Sequence, residues 1–373
     1  MTLQRKHFRL IFFTLFVFSG VSESSESTSP EINLNHTPIQ LNENKAGKHK
    51  ESGRTSWSLY LDNDLFVPGS EDRDYTGGVA VSFSGANIED HPITLDKWLS
   101  GLSNLILSDR QKNLKSELIH SCELGFSAFT PLDISTSTPV FNDRPYSSLL
   151  YMSNSQTRMD FDNRSSITTS LALGALGLSA VGDLQNGIHS ATGSDEAEGW
   201  DNQISDGGEI TGRYALSYQK HFDISNPNLN ASWSTNVSLG YLTETGANLS
   251  WRWGRLRTPW WKLNNKIGSY GDKSFAESSL SSKRDELYLS GGLGVKAVAY
   301  NAFLQGQFRD SAFELSSDDI NPVVGEAWLG LTKELSSGFR ISYVLRHQTS
   351  EVKTGLSDRS LTWGAFILTH VFK

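Results

Sequence analysis

The chain has 373 residues, 37% of them hydrophobic and 11% aromatic, with a formal net charge of -8. That length holds one large domain or two ordinary ones, and a mildly acidic balance without a Lys/Arg stripe excludes a typical nucleic-acid binder. The one cysteine, Cys122, excludes an intramolecular disulfide and any cysteine-rich metal centre.

At the N-terminus, Arg5, Lys6 and Arg9 precede the apolar run "LIFFTLFVFSGV". A basic start and an apolar core of this length read as a secretory signal, too short for a comfortable spanning helix. Small residues such as Ser22 and Ser24 close it, so residues 1–24 are expected to be removed on export. No cysteine follows the run, which argues against a lipoprotein signal. Residues 25–54 are rich in Ser, Asn, Glu and Lys, lack a period, and are expected to form a disordered leader to a folded domain over 55–373.

From Trp57 onward the dominant period is two. "NASWSTNVSLGYL" sets Trp233, Thr235, Val237, Leu239 and Tyr241 on one side and small polar residues opposite. Apolar outward and small-polar inward is the inversion required of a membrane barrel. Twelve such strands are expected, near 56–62, 78–84, 118–128, 147–154, 166–174, 211–219, 232–243, 247–254, 285–300, 325–335, 338–349 and 361–372. An even number suits a single-chain transmembrane antiparallel β-barrel. Connections such as "TETG" and "LSSG" read as short turns on one side of the barrel, and 88–116, 129–146, 176–210, 255–284 and 301–322 as long loops on the other. Trp251, Trp253, Trp260 and Trp261 suit interfacial girdles.

Three segments interrupt the alternation with polar groups. "LYLDNDLFVPGSEDRDYTGGVAVSF" packs Asp62, Asn63, Asp64, Asp72, Asp74 and Thr76 into one hairpin. Such oxygen ligands suit a hard cation such as Ca2+, although the EF-hand spacing is absent and paired Asx turns are the better reading of Asp62 and Asp72. "FTPLDISTSTPVFNDRPY" sets Asp143 beside Arg144, most simply an ion pair inside the barrel. "QNGIHSATGSDEAEGW" reads as a short helix near 183–195 in an extracellular loop, gathering Gln185, Asn186, His189 and Asp195. Histidine titrates near neutrality and can take a proton from water. The serine-hydrolase elbow, the H-E-x-x-H motif and the P-loop are all absent. Histidine with Ca2+ and a water nucleophile fits this inventory better than a serine triad.

Taken together, "DNDLF", "DRDYTGGV", "FTPLD" with "NDRPY", and "GALGLSAVGDLQNGIHSATGSDEAEGWDNQ" resemble, in order, the outer-membrane lipid A 3′-O-deacylases. The resemblance implies a twelve-stranded barrel in the bacterial outer membrane, with its site between the wall and a loop helix. It implies Ca2+-dependent hydrolysis of the ester holding the 3′-acyloxyacyl group on lipid A of lipopolysaccharide. Carried over by motif, His189 would be the base, with Asn63, Thr76 and Gln185 beside it. Asp64, Asn63 and Asp195 would be the metal-site residues. The loop after "FTPLD" reads "ISTSTPVFN", without the Lys or Arg found in one branch of that family. A pore, an adhesin or a phospholipid esterase are the alternatives the sequence leaves standing.

Overall fold

A computed structural model describes residues 56–67, 74–85, 88–89, 91, 94–107, 117–192, 195–264, 266 and 285–371. The expected signal and leader, and Asp72, lie outside these residues.

Twelve antiparallel strands close into one barrel, each paired with its sequence neighbour and β1 with β12. They are β1 (Ser56–Asn63), β2 (Asp74–Ser84), β3 (Glu117–Thr130), β4 (Ser147–Asp160), β5 (Ser165–Leu176) and β6 (Glu209–His221). The circuit continues through β7 (Leu229–Gly240), β8 (Leu242–Arg255), β9 (Glu286–Asn301), β10 (Val323–Glu334), β11 (Phe339–Gln348) and β12 (Leu361–Val371). All twelve expected strands are present. Closure leaves no edge strand, so every strand hydrogen-bonds on both sides, as a lipid environment demands.

The side-chain alternation sorts cleanly into two faces. Phe83, Leu124, Val237, Leu239, Leu249, Leu293, Leu329, Ile341 and Phe366 stand exposed on the outward face. Ser58, Ser82, Ser121, Ser155, Ser170, Ser234 and Thr369 are buried in the lumen. The barrel is therefore apolar outside and polar inside, and no described helix is long and apolar enough to cross a membrane.

The lumen is filled. At the outer rim, opposite the end that carries β1's start and β12's finish, Tyr75, Phe129, Tyr151, Tyr241, Phe303 and Trp363 form an aromatic plug. One helical turn, Ala302–Gln305, drops Phe303 into it. Beneath it lies a charged layer in which Lys296 bonds Glu326 at 2.9 Å and Arg346 meets Glu326 at 3.2 Å. At the terminal end Trp261 packs with Ile119 and Met159, and Trp260 stacks on His221. Twelve strands leave a bore narrow enough for side chains to occupy.

Three expectations are corrected. "TETG" is no turn: Thr243–Gly246 lies within β8, and the chain reverses at Gly240, whose φ of +133° suits glycine. Long connections occupy both ends, since 85–116 and 256–285 join strands at the terminal end. Trp260 and Trp261 close the lumen instead of forming a girdle, which Trp251 and Trp253 serve from β8.

Two longer helices matter for function. α1 (Asp96–Ile106) lies between β2 and β3, and α2 (Ser179–Thr192) between β5 and β6. Both pack against the outward face of the wall, not inside it.

Candidate active site

β1 ends in a short 3-10 turn, Asp64–Phe66, with Asn63 as its cap. Asn63 Oδ1 accepts the Leu65 N–H at 2.6 Å, and Nδ2 donates to the Thr76 carbonyl. The amide thus stitches β1 to β2 at their rim. Gly77 makes that approach possible, because a Cβ there would meet the Asp62 carbonyl at 3.0 Å. The turn folds over the outside of the wall: Phe66 packs edge-on against Phe366, and the Tyr343 hydroxyl donates to the Phe66 carbonyl at 2.6 Å. Gly364 leaves room for it. Asp64, opening this turn, is buried.

The carboxylates that looked clustered in sequence separate in space. Asp62 points into the lumen, where the Tyr75 hydroxyl donates to it at 3.1 Å. No Asx turn forms at Asp62; Asn63 is the residue that caps. Asp74 is engaged by arginines: Arg359 Nη2 lies 2.7 Å from Oδ1 and Nε 2.8 Å from Oδ2. Asp143 does not pair with the Arg144 guanidinium. It accepts the Arg144 backbone N–H and meets Arg359 at 2.9 Å, while Arg144 lies 3.8 Å from Asp74 and 3.7 Å from Glu351. Burial opposes the charge on Arg359, but its bonds to Asp74 and Asp143 outweigh that and hold its pKa above the usual guanidinium range. The interior ion pair expected from Asp143–Arg144 is thus a rim network closed by a residue from the β11–β12 connection.

Thr76 faces outward. Its hydroxyl lies 2.6 Å from that of Thr130 at the end of β3. Two residues back from Thr130, Ala128 packs on the same face with Val181 of α2, Tyr146, Ala197 and Trp200. α2 is therefore seated on the wall beside the Asn63–Thr76 pair.

α2 begins after Gly177, whose φ of +69° and 2.1 Å Cβ approach to the Ser205 carbonyl exclude other residues. It carries Gln185 and His189 one turn apart, both buried. Gln185 Oε1 accepts the Trp200 indole N–H at 2.9 Å, and its amide nitrogen lies 3.4 Å from His189 Nε2. His189 Nδ1 is 2.6 Å from the Asp195 carbonyl oxygen. Asn186 pins the returning chain by accepting the Ala197 N–H at 2.8 Å and donating to its carbonyl at 3.1 Å. Gly182 admits the Trp200 ring, which an added Cβ would meet at 2.6 Å.

These contacts fix the imidazole. A carbonyl oxygen only accepts, so Nδ1 carries the proton and Nε2 of the neutral ring presents its lone pair. Nε2 is the nitrogen beside the Gln185 amide, so the residue that steers the ring touches its basic atom. Asp195 acts through its backbone; its carboxylate is exposed and lies beyond the end of α2. The helix does not gather Asp195 with His189 on adjoining faces, because it stops at Thr192.

Asp64 is a buried carboxylate next to the Asn63 cap, and Thr76 and Thr130 carry hydroxyls on the neighbouring strands; oxygens of these kinds are the donor chemistry of a hard cation. Among the described residues no three His, Cys, Asp or Glu side chains converge. A cation here would rest on Asp64 with uncharged oxygens and water, which fits Ca2+ and not a zinc-type site. Thr130, Trp200 and Arg359 were not legible as site residues. Trp200 closes the very stretch that contains His189, and its indole N–H was the available signal.

The sequence profile of a family described as outer membrane protein LpxR matches residues 32–372. No curated protein sequence matches the chain. The solved structure of LpxR from Salmonella typhimurium is 19% identical, covers 85% of this chain and 100% of its own, and superposes with a TM-score of 0.61. The β-domain of the Bordetella autotransporter BrkA is 10% identical, with 86% of this chain and 100% of that one covered and a TM-score of 0.42. The KdgM porin is 6% identical, with 85% and 99% covered and a TM-score of 0.36.

Proposed function

The chain belongs to the LpxR family of outer membrane proteins, and from that premise we propose that it hydrolyses the ester holding the 3′-linked acyloxyacyl group on lipid A, with His189 as general base. The observation that carries this reading is the 2.6 Å contact of the buried His189 Nδ1 with the Asp195 carbonyl oxygen, which places the ring proton on Nδ1 and leaves Nε2 as the accepting nitrogen. The site's placement supports it too. Asn63, Thr76 and α2 stand on the outside of the barrel at its outer rim, where a lipid of the outer leaflet has access and the lumen does not.

In the reaction, His189 Nε2 takes a proton from water as the water oxygen attacks the ester carbonyl. The imidazolium that forms keeps its Nδ1–H on the Asp195 carbonyl, which stabilises the positive charge. When the tetrahedral adduct collapses, the carbon–oxygen bond to the sugar breaks and Nε2–H protonates the departing alkoxide. The products are a sugar hydroxyl and the released acyloxyacyl acid. General-base assistance of this kind contributes roughly 10²–10⁴-fold. A Ca2+ held by Asp64 would supply positive charge against the developing oxyanion, a contribution of several kcal/mol. Gln185, itself held by Trp200, keeps its amide nitrogen 3.4 Å from Nε2, and the attacking water replaces that contact when it donates to the same lone pair. Thr76 and Asn63 shape the wall side of the site through their bonds to Thr130 and to each other's strand.

The exposed loop around α2 carries Asp183, Asp195, Glu196, Glu198 and Asp201 and no Lys or Arg between 177 and 208. Together with "ISTSTPVFN", this supports a site that does not select its lipid by cationic clamps on the phosphates. Purified protein given lipid A or a phosphatidylcholine in mixed micelles, with Ca2+ or EDTA, tests the assignment. Release of acyloxyacyl acid from lipid A alone, lost in EDTA, is the expected result; phospholipid hydrolysis at equal rate would replace it with a general esterase.

A further inference from the structure

α1 turns four large apolar side chains, Trp98, Leu102, Leu105 and Ile106, away from the protein. Its connection leaves the terminal end of the barrel, yet the helix lies flat on the outward face of β3, β4 and β5. Leu99 packs with Leu171, beside Met152, Leu173 and Tyr214. Ser103 Oγ donates to Thr169 Oγ1 at 3.0 Å. Asp96 Oδ2 lies 2.9 Å from His120 Nδ1 and accepts from Gln156 Nε2 at 3.0 Å. Gln156 also donates to Ser100 at 2.6 Å. The N-terminus is held by Asn154, which accepts the Leu95 N–H at 3.0 Å and donates to Thr94 at 2.7 Å.

Every one of those wall residues points to the side that elsewhere faces lipid. His120 alternates with lumenal Ile119 and Ser121, and Asn154 and Gln156 alternate with lumenal Ser153, Ser155 and Thr157. Left bare, this polar strip would face hydrocarbon, where unsatisfied donors and acceptors cost several kcal/mol each. α1 covers it and supplies partners to His120, Asn154, Gln156 and Thr169. On the side of α1 turned away from the wall, Trp98 is 66% exposed, Leu105 84% and Ile106 52%, with Leu102 beside them, while Lys97 and Asn104 are exposed along one flank. A helix in water buries its large apolar residues; this one buries Asp96 and Ser103 together with Leu99 and leaves four large apolar side chains open. The seam lies near mid-height, since Asn154 falls in the middle of β4 (Ser147–Asp160). The exposed side therefore continues the lipid-facing band formed by Leu124 and Leu150 on the same strands.

We propose that α1 is a membrane-immersed helix, clasped to the barrel wall by Asp96, His120 and Gln156, whose Trp98–Leu102–Leu105–Ile106 side contacts the acyl chains of the bilayer. The chemistry of the two sides selects that occupant: an apolar surface continuous with a lipid-facing band, backed by a seam that requires exclusion of water to be worth building.

The test uses full-length protein in phosphatidylcholine proteoliposomes, with Cys122→Ser and a nitroxide attached at Leu105→Cys. Reference labels stand at Leu293→Cys on the bare wall and at Ser225→Cys in the exposed β6–β7 turn. Collisions with oxygen and with a water-soluble nickel chelate are read by power saturation. The Leu105→Cys label should match Leu293→Cys, with strong oxygen contact and loss of contact with nickel. A nickel accessibility equal to that of Ser225→Cys overturns the proposal and leaves a water-exposed face open to a protein partner. Adding Asp96→Ala should raise both label mobility and nickel contact; an unchanged spectrum overturns the clasp. Heat-modifiable gel migration confirms that each variant keeps a closed barrel.

Discussion

His189 Nδ1 and the carbonyl oxygen of Asp195 stand 2.6 Å apart, across the end of α2. This single bond decides the tautomer of a buried imidazole and turns Nε2 toward Gln185. His120, also buried, has a carboxylate oxygen of Asp96 at the equivalent nitrogen and lies beneath α1 at mid-wall. The contrast separates the histidine proposed as base from the one proposed to clasp α1.

Replacing His189 with Gln keeps the volume and a hydrogen bond to Asp195 but removes the base. Deacylation should fall by about 10²–10⁴-fold with the barrel intact by heat-modifiable migration. A variant that keeps more than a tenth of the wild-type rate would exclude proton abstraction at this ring.

Trp200→Phe removes the indole N–H that holds Gln185, together with part of the ring that packs on Gly182 and Tyr146. A hydrogen bond of this kind is worth roughly 0.5–1.5 kcal/mol, so kcat should drop about two- to tenfold with little change in KM. Gln185→Ala added to Trp200→Phe should cost less than the two changes summed, because both act through the same ring. Strict additivity in that cycle would place Trp200 outside the chain of contacts.

Asp64→Asn leaves the turn and its Asn63 cap in place and removes the buried carboxylate that opens that turn. Activity should fall to the level of wild type in EDTA, and added Ca2+ should not restore it. Ca2+ stimulation persisting in Asp64→Asn would remove this residue from the cation site.

Arg359 joins Asp74, which sits at a φ of +69°, to Asp143. Asp74 is two residues before Thr76, so the network holds a strained backbone next to the site. Arg359→Ala leaves two buried carboxylates without this partner. The expected cost is roughly 2–3 kcal/mol, below the full range for a buried pair because Arg359 keeps partial exposure. Urea unfolding from liposomes measures the loss; an unchanged midpoint would mean that Arg144 alone suffices.

Gly182→Val should displace Trp200 and abolish activity while the barrel stays closed, since its Cβ would meet the indole at 2.6 Å. Gly187→Ala on the same helix meets nothing within 4 Å and should be neutral, or stabilise α2 by up to about 1 kcal/mol. Equal damage from both changes would show that α2 senses helix composition and not packing on Trp200.

The barrel was legible because period-two alternation survives wherever one face meets lipid. Trp233, Thr235, Val237 and Leu239 face outward as their spacing requires, whereas Tyr241, set on the same side by that spacing, enters the lumen plug where the chain reverses at Gly240. The polar hairpin was not legible in the same way. Asp62, Asp64 and Asp74 are close in sequence, but one enters the lumen, one opens the turn folded outside the wall, and one joins the rim arginines. Alternation, a 3-10 turn and a bulge between Asp74 and Gly77 send them apart. Partners that arrive from remote strands, such as Arg359, leave no local pattern. α1 went unread because its polar side faces a wall whose own polar residues look, in sequence, like ordinary strand alternation.

The most direct measurement is the mass spectrum of lipid A from an outer-membrane bacterium without a 3′-deacylase of its own, expressing either the wild-type chain or His189→Ala. The account predicts loss of one 3′-linked acyloxyacyl unit in the wild type and an unaltered lipid A in His189→Ala. An unaltered lipid A in both strains, with the protein folded in the outer membrane, or the same loss in both, would contradict it.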